Sequence, residues 1–110
     1  MIFITAKFRV LEQDADRWPD IVEDLTKGTR AEPGCLWFDW SRSLDDPTEY
    51  VVVEAFRDAE AGEAHVRSEH FARARKLLPQ HLQETPRIVN MAVPSDGWSL
   101  LGEMAVPTPG

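Results

Sequence analysis

Few side chains in this sequence can move a proton near neutral pH: three histidines, His65, His70 and His81, and one cysteine, Cys35, in 110 residues. His65 falls in a stretch whose apolar residues recur at helical spacing, and it projects from the inward face of that pattern. Glu54 is the single acid in the run Tyr50-Val51-Val52-Val53-Glu54-Ala55-Phe56. By strand alternation Glu54 shares a face with Tyr50, Val52 and Phe56, and a carboxylate in so apolar a setting needs a partner. His65 and Glu54 then either handle a substrate proton together or satisfy each other and tie helix to sheet. His70, just before Phe71, either lines a pocket mouth or bonds backbone near Ser68. His81 lies in a polar loop and reads as solvated. Phe38, Trp40, Phe56 and Phe71 are candidate pocket walls, although aromatics at this spacing also serve as plain core. A buried Trp40 needs an acceptor for its indole N–H, which a bound oxygenated ring could provide.

The remaining reactive residues read structurally. Cys35 has no partner cysteine and no metal-ligand spacing, so it reads as a small buried strand residue. Asp45, Asp46 and Glu49 lack the calcium-loop pattern and read as turn chemistry. No metal is expected. No glycine-rich phosphate cradle follows a strand, so no nucleotide or flavin cofactor is expected either.

Positioning these residues takes a particular order of elements. Ile2, Ile4, Ala6, Phe8 and Val10 alternate with more polar positions and predict a first strand with one apolar face. Asp14 is placed to cap a helix carrying Trp18, Ile21, Val22 and Leu25 inward as far as about Ala31, where Glu32-Pro33-Gly34 stops it. A strand follows at Cys35 to Arg42, with Leu36, Phe38 and Trp40 on one face and Trp37, Asp39 and Ser41 on the other. The Asp45-Asp46-Pro47-Thr48 turn leads to the buried strand from Tyr50 to Phe56, which pairs antiparallel with the one before. Asp58 caps a second helix from about Ala59, with Ala61, Ala64, His65, Phe71, Ala72, Leu77 and Leu78 inward and a fresh cap at Ser68. Residues 87–93 form a last strand. The order βαββαβ is the split βαβ, ferredoxin-like α+β arrangement, with four strands and two helices covering one face.

Length suits one domain over 1–93, followed by a tail over 94–110 that holds Trp98, Leu100 and Leu101 and is expected to lie on a partner subunit, with a flexible end after Val106. The other sheet face, with Phe3, Trp37 and Val53, would leave apolar surface bare, so a homodimer through the open sheet faces is expected. Net charge is −7, which disfavours nucleic acid and anionic membrane surfaces. No apolar run is long enough to span a bilayer and no secretion signal opens the sequence, so the expected compartment is cytoplasmic.

Five stretches carry a resemblance to a known family: Ile4 to Val10, Ala31-Glu32-Pro33-Gly34-Cys35-Leu36, Asp45-Asp46-Pro47, Val53 to Asp58, and Ala64-His65-Val66-Arg67-Ser68-Glu69-His70-Phe71. Together they resemble the antibiotic biosynthesis monooxygenase domains, including quinol monooxygenase-like proteins of the dimeric α+β barrel group. The resemblance implies cofactor-free oxygenation of a quinol or polyphenolic aromatic substrate, which once deprotonated supplies electrons to dioxygen. His65 is then the candidate base and Glu54 its orienting partner, with Phe38, Trp40, Phe56, His70 and Phe71 against the substrate. A haem-degrading branch of the superfamily needs a histidine and an asparagine where Arg75 and Phe8 stand here, so haem chemistry is disfavoured. Isomerisation or cyclisation of a carbonyl compound through His65, or binding of a small aromatic molecule without turnover, stay open.

Overall fold

A computed structural model describes residues 1–109. Strand β1 (Ile2–Arg9) leads through a 3-10 stretch (Glu12–Arg17) into α1 (Trp18–Ile21) and α2 (Glu23–Arg30); β2 (Cys35–Arg42) and β3 (Glu49–Phe56) form a hairpin; α3 (Ala59–Val66) and α4 (Glu69–Leu77) precede β4 (Arg87–Ala92). The strands lie in the order β2-β3-β1-β4, every neighbouring pair antiparallel. This is the ferredoxin-like α+β fold that the element order predicts, each helical layer being broken into two short pieces.

Register aligns the inward residues of all four strands in rows. Phe38, Glu54, Ile4 and Asn90 form one row; Trp40, Val52, Ala6 and Ile88 form the next. The apolar stripe Trp18, Val22 and Leu25 seats α1 and α2 over these rows, and Trp18, Phe38 and Val52 are almost wholly buried. At ~2–3 kcal/mol for a fully buried large apolar side chain, this cluster is the main fastening of the helices to the sheet. A smaller cluster of Ile4, Phe56 and Ala61 holds α3.

Both expected caps on the second helical layer are present: Asp58 Oδ1 accepts from Ala61 N at 2.9 Å, and Ser68 Oγ accepts from Phe71 N at 3.2 Å. The Asp45–Asp46 region is turn chemistry, Asp46 Oδ1 accepting from both the backbone N–H and the hydroxyl of Thr48.

Several expectations are corrected. Asp14 caps nothing: it is buried inside the 3-10 stretch, where its carboxylate takes Arg17 and, at 2.8 Å, His81 Nδ1. Those hydrogen bonds hold its carboxyl below the usual range. His81 is accordingly paired and half-buried rather than solvated. Leu36 is 43% exposed because a bulge between Cys35 and Trp37 turns it outward and sets Cys35 against the core in its place. Ala64, Ala72 and Leu77 are exposed: Ala61 and His65 carry the inward side of α3, with Ala64 beside that stripe, and the break at Arg67–Ser68 resets the phase so that Ala74 rather than Ala72 or Leu77 faces inward with Leu78.

On the opposite face of the sheet, Phe3 meets Trp37 edge-on with ring centroids 6.5 Å apart, and Trp98 of the tail lies against the same indole at 5.0 Å. Val89 and Met91 of β4 stay more than half or half exposed there. Among the described residues, no helix is long and apolar enough to cross a membrane.

Candidate functional site

Between the sheet rows and α4 lies a cavity of about 330 Å³. Its walls are aromatic and aliphatic: Phe8, Phe38 and Trp40 from the sheet, Phe71 from α4. Glu54 and His65 stand at one end, and Arg75 and Asn90 add polar groups on the α4 and β4 sides. A second hollow of about 610 Å³ adjoins it between α3 and the β1/β4 edge, sharing Ile4, His65, Val66 and Asn90 as its wall. His65 therefore borders both spaces.

Of the residues singled out in the sequence, Phe38, Trp40, Phe71, Glu54 and His65 converge on the cavity, whereas Phe56 and His70 do not line it. Phe56 is fully buried and packs beneath His65, ring centroids 4.8 Å apart. With Phe71 at 5.1 Å and Phe38 at 6.4 Å, it cages the imidazole in aromatic rings. The Trp40 indole does not wait for a ligand: its Nε1–H donates to Thr26 Oγ1 at 3.0 Å, and that hydroxyl donates on to Val22 O.

The direct partner of His65 is not Glu54. His65 Nδ1 donates to Glu32 Oε2 at 2.9 Å, and His70 Nε2 donates to the same oxygen at 2.5 Å. Glu54 Oε1 lies 3.8 Å from His65 Nε2, outside hydrogen-bond distance. A carboxylate without a proton only accepts, so the bond to Glu32 places the His65 proton on Nδ1 and turns the Nε2 lone pair toward Glu54 and the cavity. Burial, aided by repulsion from Glu32, pushes the Glu54 carboxyl up to about 7. An imidazole lone pair and a carboxyl poised near neutrality thus face each other across 3.8 Å at the edge of an apolar space.

Glu32 is the site residue that sequence reasoning missed. It was visible only as part of the Glu32-Pro33-Gly34 helix stop, a motif that the resemblance already contained, and no periodicity reports where a turn residue points. In the sequence Arg75 bears only on haem chemistry and Asn90 carries no local signal; register places Asn90 in the row of Glu54.

Cys35 takes no part. Burial, then the surrounding Glu32, Glu54 and Asp39, raise its thiol to about 11, and the S–H donates weakly to Trp37 O at 3.5 Å.

Comparison with known proteins agrees with this architecture. The family model described as antibiotic biosynthesis monooxygenase matches residues 1–77. A solved structure described as an antibiotic biosynthesis monooxygenase is 30% identical, with 86% of this chain and all of the other covered at a TM-score of 0.76. Rv0793 from Mycobacterium tuberculosis is 26% identical over 89% of this chain and 98% of its own, TM-score 0.78. PA3566 from Pseudomonas aeruginosa is 26% identical over 86% and 94%, TM-score 0.75. Among curated proteins nothing matches the chain.

Proposed function

The chain belongs to the antibiotic biosynthesis monooxygenase family, and on that premise we propose that it is a cofactor-independent monooxygenase acting on a quinol or polyphenolic aromatic. The observation that carries this reading is His65, bonded at Nδ1 to Glu32 and presenting Nε2 to an aromatic cavity of about 330 Å³. A carboxylate that fixes the tautomer and orientation of a histidine raises its usefulness as a base, the same arrangement that activates histidines in hydrolytic triads. In the apolar cavity a phenolic substrate gains from losing a proton only if the anion is met by positive or hydrogen-bonding groups, and Arg75 and Asn90 on the wall can supply both.

The step balances without further reagents. His65 Nε2 takes a proton from the ring carbon or hydroxyl, and the resulting anion passes one electron to dioxygen. The two radicals join as a C–O bond and the peroxide anion takes back the proton held on His65 Nε2; the hydroperoxide then loses water, its second hydrogen coming from carbon, so a CH2 becomes C=O, the other oxygen atom leaves as H2O and His65 is neutral again.

Oxygen uptake by purified, metal-free protein against a panel of quinols and anthrone-like phenols tests this reading. Substrate-dependent uptake in the wild type and its loss in His65→Ala, with secondary structure intact, is the expected result; full uptake in His65→Ala removes the base role. A second reading has its own support in Glu54, whose carboxyl near 7 could return a proton that His65 removes. That pair would suit isomerisation or cyclisation of a carbonyl compound, and product of unchanged mass with no oxygen consumed would select it.

The same reading includes a homodimer assembled through the open sheet face, where Phe3, Trp37, Val53 and the half-exposed Met91 offer apolar surface to a second copy, and a cytoplasmic setting.

A further inference from the structure

Two imidazole nitrogens converge on one carboxylate oxygen, and the three donor atoms, His65 Nδ1, His70 Nε2 and Glu32 Oε2, lie within 4.8 Å of one another. Three separate elements deliver them: the turn after α2, the last turn of α3 and the first turn of α4. We propose that this trio is a binding site for a divalent transition-metal ion of the zinc and cobalt class.

Donor chemistry selects the ion class. Two imidazoles and one carboxylate suit zinc, cobalt or ferrous ions, whereas calcium and magnesium ask for shells of oxygen. Bonds of about 2.1 Å to a tetrahedral ion separate its ligands by about 3.4 Å, so Glu32 has to withdraw by less than about 1 Å from its present contacts. Its carboxylate ends a flexible side chain on a turn, and the two imidazole nitrogens, within 4.8 Å of each other, close by up to about 1.4 Å through small side-chain rotations. The other ring nitrogen of His65 faces Glu54 at 3.8 Å, the place where metal-bound histidines commonly find a carboxylate to receive the second N–H. The His70 ring is seated by Gly28: a Cβ there would fall 2.5 Å from the imidazole Cγ, so the α2 backbone leaves room for this ring and no more. Side chains of Glu32 and His70 keep 14% and 15% exposure, which gives an ion a way in, while His65 closes the inner side.

Occupancy and the base role exclude each other. An ion takes the Nδ1 lone pair and leaves the proton on Nε2, so loaded protein has no base facing the cavity. The proposal itself does not rest on the monooxygenase reading, because binding is read directly.

The test is titration of chelator-treated, tag-free full-length protein with Co²⁺, followed by its visible d–d absorption, and with Zn²⁺ by calorimetry. One ion per chain at a Kd on the order of 10 µM or tighter is expected, weakened about 100-fold or more in His70→Ala and in Glu32→Gln. Controls His81→Ala and Cys35→Ser bind as the wild type does, and circular dichroism verifies that each variant is folded. Absence of saturable binding up to about 1 mM in the wild type, or undiminished binding in folded His70→Ala, overturns the site. Either result leaves the oxygen-uptake experiment to decide the monooxygenase reading separately.

Discussion

Replacing Glu54 by glutamine probes the most unusual electrostatic feature of the site. Burial lifts this carboxyl from 4.5 to about 7, with Glu32 adding repulsion, and the residue is only 7% exposed. At about 1.4 kcal/mol per pH unit, that difference is worth about 3 kcal/mol between the fully protonated and fully ionised limits. The native state binds the proton more tightly than the unfolded chain does, so the stabilisation is complete below about pH 4.5. It is eroded as pH rises through the interval up to about 7, and it has gone by about pH 8. Glutamine keeps the shape without ever charging. Urea unfolding at one fixed protein concentration, at pH 5 and at pH 8, should show the two proteins nearly matched at pH 5. At pH 8, Glu54→Gln should be ahead by up to about 3 kcal/mol, a midpoint shift of about 2 M for a domain of this size. The groups facing Glu54, His65 and Glu32, are present in both proteins, so much of their own titration cancels in the difference. Stability curves that stay parallel from pH 5 to pH 8 would refute the reasoning that Glu54 is held neutral by burial.

Two further outcomes test the framework around the site. Gly34 lets the turn that carries Glu32 touch α3, since a Cβ there would sit 2.3 Å from that of Ala61; Gly34→Ala should cost about 1–3 kcal/mol and lower the melting temperature by about 5–15 °C in calorimetry, and an unchanged Tm would mean the turn shifts freely. Val53→Lys places a charge on the open sheet face and should yield monomer or aggregate in light scattering after size exclusion, whereas a soluble dimer of wild-type stability would rule out sheet-to-sheet assembly.

The chain's sequence alone determined the strands, the helical layers and their order, because alternation in Ile2 to Val10 and in Tyr50 to Phe56, together with the caps at Asp58 and Ser68, are local signals. It also placed Glu54 on an apolar strand face with Tyr50, Val52 and Phe56, and His65 on the inward face of its helix. Which group His65 bonds was decided by tertiary structure. Glu32 lies 33 residues away in sequence, on a turn whose side-chain direction follows no period, and it reaches both histidines only when α3 and α4 dock beside the end of α2. The same reason accounts for Asp14, a plausible cap by position that instead meets His81 across 67 residues. Leu36 and Leu77 were misjudged because a bulge and a helix break each shift the phase by about one residue, and a periodic pattern carries no record of where its phase is reset. Local pattern says which face a residue belongs to; only the packed topology says which distant side chain is waiting there.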